Sequence, residues 1–367
     1  MQVDVVVVGG GAMGSAAAWQ LARSGKSVVL LERFEEGHHM GASHGATRNF
    51  NTAYAEADYL DLLAESKLLW DELAAEYGAP LLDLVGLANH GHVARLKEVH
   101  AAHQARGIES YFISAGEAAD RWQGMNFSTE VLFVPGSGRI RAAEALAALR
   151  KSAESRGALF KYSTPVQDIQ VTGGESVVVV TEDTEYTARH VVVTAGAWTS
   201  KLIGAQVDLP ALVVTQEQPA HFTPRDNTLV WPSFNHTPDL DDDLYEYWYS
   251  PVYGMLTPGE GVKAGWHGVG PVMDPDERTF QPIPHQMDAL VRYAEEWLPG
   301  VDPSTAVPIS CTYTTTPTED FVLDHFGPLV VGAGFSGHGF KFTPAIGRVL
   351  KDIVDGGTAP ARFAAER

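Results

Sequence analysis

A glycine-rich turn near the N-terminus sets the strongest limit on the fold. Gly9, Gly11 and Gly14 follow the pattern G-x-G-x-x-G, directly after the apolar, β-branched run at residues 3–8 and directly before an alanine-rich stretch. In this context the first glycine permits the turn, the second lets the backbone approach a pyrophosphate, and the third allows a helix to pack closely on a strand. The phosphates then lie at the helix N-terminus. The sequence therefore predicts an α/β fold with a dinucleotide-binding site.

Glu32 supports this interpretation, because it ends a second apolar run at residues 27–31. A carboxylate in this position accepts hydrogen bonds from a ribose diol and repels a 2′-phosphate, which disfavours NADP. Glycine-rich turns also occur in other α/β proteins, and the pattern alone does not separate FAD from NAD. The predicted nucleotide contacts at this end of the site also include Met13 and Arg33.

Charge and composition limit which partners the protein can bind and which cellular compartment suits it. The 367 residues suit two domains, and 45% of them are hydrophobic, which is enough for a sizeable core. The net charge of −20 opposes binding to nucleic acid or to an anionic membrane. Cys311 is the only cysteine, which excludes an intrachain disulfide and favours a reducing compartment. We predict a cytoplasmic protein without a signal peptide, a membrane helix or a metal site.

The order of predicted elements changes along the chain and indicates two interleaved domains. Alternating strands and helices occur near both ends, whereas short strand-like segments, many rich in Pro, Trp and Tyr, dominate the middle. We predict a Rossmann-like, discontinuous dinucleotide-binding domain and an antiparallel-sheet substrate domain. The first comprises residues 1–80, 140–208 and 305–367, and the second comprises residues 81–139 and 209–304.

Local features are predicted from periodicity and from turn residues. Leucines at three- and four-residue steps predict a helix over residues 57–77. Residues 34–50 are rich in Gly, His and Ser, and we expect a long ordered loop with a functional role. The Gly-Gly pair at 173–174 is expected to form a hairpin turn. Thr343 is expected to cap the final helix, with Pro344 at its first position.

Four further motifs occur in order along the chain. They are Gly41-Ala42-Ser43-His44-Gly45-Ala46-Thr47-Arg48, Ala195-Gly196-Ala197-Trp198, Cys311-Thr312-Tyr313 and Gly334-Phe335-Ser336-Gly337-His338-Gly339-Phe340-Lys341-Phe342. These motifs resemble those of the monomeric sarcosine oxidase family, which includes N-methyltryptophan oxidase and is related to the fructosyl amino acid oxidases. The resemblance spans nearly the whole chain, and the last motif is highly specific. It implies a monomeric two-domain flavoprotein of the glucose oxidase and D-amino acid oxidase type.

The resemblance implies FAD as the redox cofactor, attached through a thioether to Cys311. The family's substrates are secondary amino acids. The flavin takes a hydride from the carbon beside the amine, the imine hydrolyses, and O2 reoxidises the flavin as H2O2 forms. Without the resemblance, the usual interpretation of a lone cysteine is a small buried hydrophobic residue.

Lys263 and His267 are predicted to face the active site from one strand. Strand alternation over residues 262–267 places them on the same side as Gly265, which would leave room for a ring system. By resemblance, Lys263 activates O2, because a positive charge stabilises developing superoxide. His267 resembles a substrate-pocket histidine. The alternative is an exposed lysine on a solvated strand edge.

Lys341 is predicted to bind the substrate carboxylate. It follows two glycines, Gly337 and Gly339, whose backbone can come close to a flat ligand. The family uses the matching lysine for the carboxylate, and the alternative is a solvated lysine before a helix. The remaining predicted flavin or nucleotide contacts are Ser43, His44, Arg48, Val166, Gly196 and His338.

Arg48 and His44 resemble residues that pack against the flavin, where a cation stabilises the reduced, anionic ring. The alternative for both is a loop charge that binds backbone. With Lys263, His267, Lys341 and Tyr313, Arg48 completes the predicted catalytic set.

Asn51 departs from the family pattern. Sarcosine oxidases carry a second arginine at this position, which shares the substrate carboxylate with the lysine. The loss of a bidentate donor weakens carboxylate binding, whereas asparagine suits a hydroxylated substituent such as a fructosyl group. The acidic and aromatic segment 241–253, including Tyr249, is expected to line a roomier pocket or to form a solvated loop. The predicted substrate pocket comprises Asn51, Tyr249, His267, Tyr313 and Lys341.

Three functions from different classes are consistent with these motifs. The first is an oxidase of small N-substituted amino acids that produces H2O2. The second is an FAD-dependent dehydrogenase of the same fold that passes electrons to another carrier, and Lys263 favours the oxidase over it. The third is a non-catalytic flavoprotein or NAD-binding module, which leaves Cys311 and Lys341 without a role.

Overall fold

The structure is a computed structural model that describes residues 1–172, 176–239 and 245–365. Its helices in these ranges are α1 (Ala12–Arg23), α2 (Ala57–Tyr77), α3 (Val93–Ala105), α4 (Ala115–Arg121), α5 (Ala142–Glu154), α6 (Thr199–Ile203), α7 (Pro284–Trp297) and α8 (Thr343–Val354). Its strands are β1 (Gln2–Val8), β2 (Val28–Leu31), β3 (Thr47–Phe50), β4 (Leu82–Asp83), β5 (Leu87–Gly91), β6 (Tyr111–Ile113), β7 (Val131–Val134), β8 (Gly138–Arg141), β9 (Leu159–Lys161), β10 (Asp168–Val171), β11 (Val177–Val180), β12 (Glu185–Val193), β13 (Val213–Glu217), β14 (Ala220–Pro224), β15 (Ser233–Thr237), β16 (Val252–Thr257), β17 (Gly261–Trp266), β18 (Val301–Pro308), β19 (Cys311–Thr315), β20 (Val322–Phe326) and β21 (Leu329–Ala333).

The first sheet contains the strand before the glycine-rich turn. Its order is β10-β11-β12-β1-β2-β9, and β21 also pairs with β12 and carries β20. β1 is parallel to both β12 and β2. The valines from Val5 to Val8 are buried, as a strand covered on both faces requires. The predicted parallel α/β core is confirmed.

Helices cover one face of this sheet and bring distant parts of the chain together. α1 packs against α5 and α8, and α2 packs against α5 and α8. The contact between α1 and α8 is close, since a Cβ on Gly347 would lie 2.6 Å from the carbonyl carbon of Ala16. Among the described residues, no helix is both long enough and apolar enough to cross a membrane.

The second sheet is built mainly from the middle of the chain. Its order is β18-β14-β17-β16-β15-β5-β7-β6, and all neighbouring pairs are antiparallel except β15 and β5. One face packs on α7 through an aromatic cluster that includes Trp266, Tyr293 and Trp297. The two sheets together confirm the predicted fold class, an α/β sheet combined with a mainly antiparallel one.

Two smaller sheets join segments from different parts of the chain. β13 pairs with β19, and β3 pairs with β8, which also carries β4. Both small sheets, together with β18, contain residues from either side of the predicted domain boundaries, so those boundaries stay a prediction.

Three of the four local predictions fall on described residues, and their outcomes differ. The helix over residues 57–77 is confirmed, with the same bounds as α2. The prediction of a continuous loop over 34–50 is wrong at its end, where residues 47–50 form β3 by pairing with β8. Thr343 is the first helical residue instead of the N-cap, and its hydroxyl donates to the Phe340 carbonyl. The predicted turn at 173–174 lies outside the described residues.

Candidate active site

One cavity connects the glycine-rich turn to the predicted catalytic residues. Its volume is about 1830 Å³, and it extends from Gly9 and Glu32 to Cys311, Lys263 and Lys341. Ordinary ligand pockets measure about 300–1,000 Å³, so this space accommodates a dinucleotide in addition to a small substrate. The cavity lies between the two large sheets and is lined by strands of both.

The glycine-rich turn has the geometry that its pattern predicts. Gly9 has φ +101°, and a Cβ there would lie 2.5 Å from the Thr194 carbonyl oxygen. A Cβ on Gly14 would lie 1.9 Å from the Gly9 carbonyl oxygen. Gly11 precedes α1, and the side-chain oxygen of Ser43 accepts a hydrogen bond of 3.0 Å from the first amide of that helix, Ala12. Any larger residue at Gly9 or Gly14 would therefore displace the backbone.

Glu32 is the buried acid at the end of β2. Its carboxylate accepts hydrogen bonds from the backbone N–H groups of Gly10, at 2.6 Å, and Phe34, at 2.9 Å. Burial opposes its charge, but His38 and these two amides keep the pKa of Glu32 below its usual value. The group is therefore a fixed anion on the cavity wall.

The other predicted contacts at the nucleotide end also line the cavity. Arg33 forms an ion pair of 2.8 Å with Asp276 and lies over the ring of Trp198. The residues from this predicted group that line the cavity are Met13, Arg33, Val166 and Gly196.

Arg48 holds the loop that precedes β3. Its guanidinium donates to the carbonyl oxygens of Thr47, Ala42 and His44, at distances of 2.8, 2.7 and 2.5 Å. Burial, and then the charge of Arg48, lowers the pKa of His44 to about 3. In this structure Arg48 thus clamps the loop and also places a cation on the cavity wall.

Cys311 begins β19 and lines the same cavity. Its Sγ atom lies 3.9 Å from the Ala42 carbonyl oxygen. Arg278 is buried beside it and donates to the carbonyls of His39 and Met40 and to the Ser310 hydroxyl. Arg278 therefore fixes the loop before β3 against the strand that carries Cys311.

Lys263 is buried on β17, with only 4% of its surface exposed. Its Nζ atom donates to the Thr47 carbonyl at 3.3 Å. Burial, followed by the neighbouring charge of Arg48, lowers the pKa of Lys263 to about 7. The space beside Gly265 was expected to hold a ring of the ligand, but Pro219 and the Tyr253 hydroxyl occupy it. A Cβ on Gly265 would lie 2.7 Å from Pro219 and 3.1 Å from that hydroxyl.

His267 directly follows β17 and contacts Tyr313. Its Nδ1 atom lies 3.3 Å from the Tyr313 hydroxyl, and its backbone N–H donates to the Ser250 hydroxyl at 2.8 Å. Burial, followed by the charge of Lys341, lowers the pKa of His267 to about 4. The ring of Tyr313 occupies the space that a side chain at Gly337 would need, since a Cβ there would lie 2.1 Å from it.

Lys341 is also buried, with 5% of its surface exposed. Its Nζ atom donates to the Tyr54 hydroxyl at 3.0 Å and to the His338 carbonyl at 2.7 Å. Burial lowers the pKa of Lys341 to about 7. The middle of α2 holds its backbone, because Ser66 and Trp70 both donate to its carbonyl.

Asn51 and Tyr249 differ in their relation to the cavity. Asn51 lines it, and its Oδ1 atom accepts a hydrogen bond of 2.8 Å from the backbone N–H of Ala53. Tyr249 is 41% exposed, packs against Trp266 and His285, and is not among the described residues that line the cavity. Residues 241–244 of the predicted pocket segment lie outside the described residues.

Sequence reasoning did not identify three residues that shape the site. Tyr54 contacts Lys341, and Arg278 lies beside Cys311. Glu217 is 1% exposed and accepts hydrogen bonds from Val269 and Gly270, just after His267. The position of Tyr54, three residues after Asn51, could have indicated it, whereas the other two are placed by contacts between distant segments of the chain.

The residues present fit FAD. The glycines leave no side chain between the helix N-terminus and the cavity, and Glu32 offers an acceptor for a ribose. The same cavity continues to Cys311 and to two buried lysines, which suit an electron-rich ring and an anionic substrate. A fold and site of this kind define a flavin-dependent oxidoreductase.

Comparison with known proteins agrees with that class. The profile of the family described as FAD dependent oxidoreductase matches residues 4–353, and the chain belongs to this family. Monomeric sarcosine oxidase from Bacillus sp. (strain NS-129) is 32% identical over 96% of this chain and 93% of its own length. N-methyl-L-tryptophan oxidase from Yersinia pestis (strain Pestoides F) is 29% identical over 95% of this chain and 94% of its own length.

Solved structures show the same fold. NikD, described as an unusual amino acid oxidase essential for nikkomycin biosynthesis, superposes with a TM-score of 0.88 at 26% identity and covers 100% of this chain and 98% of its own. Glycine oxidase from Geobacillus kaustophilus superposes with a TM-score of 0.81 at 21% identity, covering 100% of this chain and 99% of its own. The predicted resemblance, the two-domain flavoprotein fold and the assignment as an FAD-dependent oxidoreductase enzyme are confirmed.

Proposed function

We propose that this protein oxidises the C–N bond of a small N-substituted amino acid and passes the electrons to O2. The products are an imine, which hydrolyses to an amine and a carbonyl compound, and H2O2. The observation that carries the proposal is the pair of buried lysines on the cavity wall, Lys263 and Lys341. Among the described residues, neither forms an ion pair with a carboxylate. Buried cations require anionic partners, which a substrate carboxylate and reduced oxygen would supply.

Lys341 is the proposed carboxylate-binding group. Tyr54 and the His338 carbonyl hold its ammonium from the protein side, at 3.0 and 2.7 Å. An ammonium has three N–H donors, so one remains for a ligand in the cavity. A charge-assisted hydrogen bond to a carboxylate contributes roughly 1.5–3 kcal/mol.

His267 is the proposed acceptor for the substrate amine. Its pKa of about 4 leaves the imidazole neutral at pH 7. A neutral ring can accept a proton or a hydrogen bond from the substrate ammonium, which must lose its proton before the C–N bond is oxidised. The contact with Tyr313 orients this ring.

Lys263 is the proposed site of reaction with O2. FAD, when bound, supplies the two-electron oxidation, and Cys311 is the proposed point of its covalent attachment. Lys263 lies on the same cavity as Cys311 and is held by the Thr47 carbonyl. Its positive charge stabilises the anion that forms when O2 accepts an electron.

The preferred substrate is proposed to be larger or more polar than sarcosine. Asn51 stands where an arginine of sarcosine oxidases would share the carboxylate. With one strong cationic donor instead of two, a very small substrate has few other contacts. A fructosyl substituent could recover binding through its hydroxyl groups, and Asn51 offers an amide on the cavity wall for them.

The test is a peroxide-coupled screen of the purified yellow protein. The compounds are sarcosine, other N-methyl amino acids, cyclic secondary amines such as proline, and fructosyl amino acids. H2O2 formation with a secondary amino acid supports the proposal, and a bulkier compound should exceed sarcosine in kcat/KM. If substrate bleaches the flavin anaerobically but air does not restore the colour, the protein is a dehydrogenase and the oxidase proposal is wrong.

A further inference from the structure

The segment that follows His267 runs along one edge of β13. Residues 271–273 are joined to residues 214–216 by backbone hydrogen bonds of 3.0 and 2.9 Å. Between these hydrogen bonds, Thr215 and Val272 form an antiparallel bridge. The segment is therefore fixed to β13 by its backbone, a few residues after the imidazole that faces the cavity.

The other edge of β13 pairs with β19, the strand that carries Tyr313. Thr215 lies opposite Tyr313 in this pairing, and Glu217 lies opposite Cys311. β13 therefore lies between the segment after His267 and the strand that carries Tyr313. The 3.3 Å contact between His267 Nδ1 and the Tyr313 hydroxyl thus joins two residues whose positions both depend on β13.

Glu217, the last residue of β13, extends this attachment toward His267. Its Oε2 atom accepts hydrogen bonds of 3.2 Å from the backbone N–H groups of Val269 and Gly270, and its Oε1 atom accepts one of 2.6 Å from the Thr215 hydroxyl. The side chain is buried, with 1% of the residue exposed. The carboxyl group thus holds the backbone two and three residues after His267.

The hydrogen bonds to Glu217 come from neutral groups. Within the part of the chain that the structure describes, its donors are a hydroxyl and backbone amides. Burial raises the pKa of Glu217 above its usual value, although these hydrogen bonds oppose the shift. Its environment therefore uses the carboxyl group as a hydrogen-bond acceptor and does not provide a cation for its charge.

Gly268 is the joint between His267 and the anchored amides. It has φ +72°, and a Cβ there would have no described atom within 4 Å apart from its chain neighbours. A glycine in open space can adopt many backbone conformations, so Gly268 by itself does not fix the residue before it. On the other side, the His267 N–H donates to the Ser250 hydroxyl at 2.8 Å and to the Pro251 carbonyl at 3.0 Å. The backbone around His267 therefore needs the Glu217 anchor on its free side.

We propose that Glu217 is a positioning residue for His267, whose ring it holds against Tyr313 by anchoring the backbone of residues 269–270. The proposal rests on the proposed function, in which His267 is the acceptor for the substrate amine. Glu217 is not among the described residues that line the cavity, so it acts through His267 and not by contact with the substrate. The anchor requires an oxygen that accepts from both amides, and it does not require the negative charge.

Two conservative variants separate the anchor from the charge. Glu217→Gln removes the charge but keeps an oxygen at the same reach, which can accept from both amides while the NH2 group donates to the Thr215 hydroxyl. Glu217→Asp keeps the charge but is one methylene shorter, so its carboxylate loses the amides. The glutamine variant should therefore retain the position of His267, and the aspartate variant should lose it. Glu217→Leu replaces the aspartate variant if that variant does not fold.

The first experiment is a double-mutant cycle with the flavin-containing protein, with rates expressed per bound flavin. Glu217→Asp should lower kcat/KM for a secondary amino acid by about ten- to hundredfold, because a shift of about 1 Å in a catalytic group can cost that much. In the His267→Asn background the same change should lower kcat/KM by less than about twofold, because no imidazole is left to misplace. Equal losses in the two backgrounds would show that Glu217 acts independently of His267 and would overturn the proposal.

The second experiment follows protonation of the His267 ring by 15N NMR and needs no turnover. The signals are assigned by their loss in His267→Asn. Burial, followed by the charge of Lys341, lowers the pKa of His267 to about 4, so the ring should remain neutral from about pH 8 down to about pH 5.5. In Glu217→Asp the ring gains contact with water, and its pKa should rise toward 6.5, so protonation should begin within this range. The other titratable groups around the ring are the same in both proteins, namely Tyr253, Tyr313, His338 and Lys341.

Gln216→Leu is the matched control. Gln216 precedes Glu217 on β13 and is 3% exposed, but its side chain binds residues 279–281 instead of the segment after His267. This variant should leave the His267 ring neutral over the same pH range. Protonation of His267 in Gln216→Leu would show that any lost hydrogen bond on β13 releases the ring, and it would overturn a specific role for Glu217.

The outcomes separate the anchor from the proposed reaction. Protonation of His267 in Glu217→Asp, but not in Glu217→Gln, supports the proposal. If the ring stays neutral in Glu217→Asp, or becomes protonated equally in both variants, the anchor is overturned even if H2O2 forms. If no secondary amino acid is oxidised, the proposed function is wrong, and the NMR comparison still decides whether Glu217 positions His267.

Discussion

The Nζ atom of Lys341 lies 3.0 Å from the hydroxyl oxygen of Tyr54. The same hydroxyl lies 3.0 Å from His338 Nδ1, and His338 Nε2 lies 3.1 Å from the Glu319 carbonyl. Because a carbonyl only accepts, His338 carries its proton on Nε2, and Tyr54 donates to Nδ1 while it accepts from Lys341. The position of the buried ammonium is therefore set by a tyrosine and a histidine whose hydrogen-bond roles are fixed by one backbone oxygen.

Tyr54→Phe should weaken binding of the substrate carboxylate. The change removes one of the two protein acceptors that hold Lys341, and a hydrogen bond to a charged group contributes roughly 1.5–3 kcal/mol. We expect the Kd of a carboxylate inhibitor, measured from flavin absorbance, to rise about ten- to hundredfold. Tyr59→Phe is the control, because the Tyr59 hydroxyl donates to Asp320 instead. Equal effects of the two changes would show that the aromatic cluster, and not the contact with Lys341, determines binding.

Asn51→Arg should raise activity on sarcosine and lower it on the larger substrate. The arginine adds a second cationic donor for the carboxylate, which could improve sarcosine binding about ten- to hundredfold. It also fills space on the cavity wall that a bulky substituent needs. Steady-state kinetics with both substrates measure the change. The explanation fails if the unmodified protein already prefers sarcosine to every bulkier compound.

Cys311→Ser should release the flavin. Cys311 is the sole thiol in the chain and lines the cavity, so it is the available site for a thioether. Acid precipitation of the unmodified protein should leave the yellow colour in the pellet, whereas the serine variant should leave it in solution. Colour that washes out of the unmodified protein contradicts the covalent link.

Lys263→Met should slow reaction with O2 much more than reduction by substrate. A fixed cation near the site of electron transfer can be worth several kcal/mol at that step, so reoxidation should slow by about a hundredfold or more. Stopped-flow absorbance follows anaerobic reduction and aerobic reoxidation separately. Equal losses in both would indicate a structural role for Lys263.

Lys341 should make stability depend on pH above neutrality. Burial lowers its pKa from 10.5 to about 7, so below pH 7 the folded protein holds a buried charge at full cost. Between pH 7 and 10.5 the unfolded chain binds more protons than the folded protein, and the free energy of unfolding from this group rises with pH by up to about 1.4 kcal/mol per pH unit. Urea unfolding of Lys341→Met should show a smaller rise than the unmodified protein, and the rise that remains comes from Lys263, whose pKa is also about 7. The exposed Lys97→Met variant should retain it.

Much of the nucleotide end of the site could be predicted from the sequence. The glycine pattern, the strand before it and Glu32 lie within one short segment, and their geometry depends on local turn and packing rules. The bounds of α2 were predictable for the same reason, because helical periodicity is a local signal. Lys341 was identified through its motif and Lys263 through strand alternation and the family resemblance, and both are buried on the cavity wall.

The remainder depends on pairings between distant segments. β3 was missed because its partner, β8, lies about ninety residues further along the chain. The contact of Tyr54 with Lys341 joins residues 287 positions apart in the chain, so no local pattern indicates it. Tyr249 was placed in the pocket on composition, but composition does not determine which face of a segment is covered.

The close packing of α1 on α8 has a consequence for the synthesis of the protein. α1 leaves the ribosome well before α8, whose Gly347 lies against Ala16. At about 5–20 residues per second, the two are separated by on the order of tens of seconds of translation. Throughout that interval the apolar side of α1 lacks its final cover, so the nascent chain should be a client of chaperones until α8 emerges.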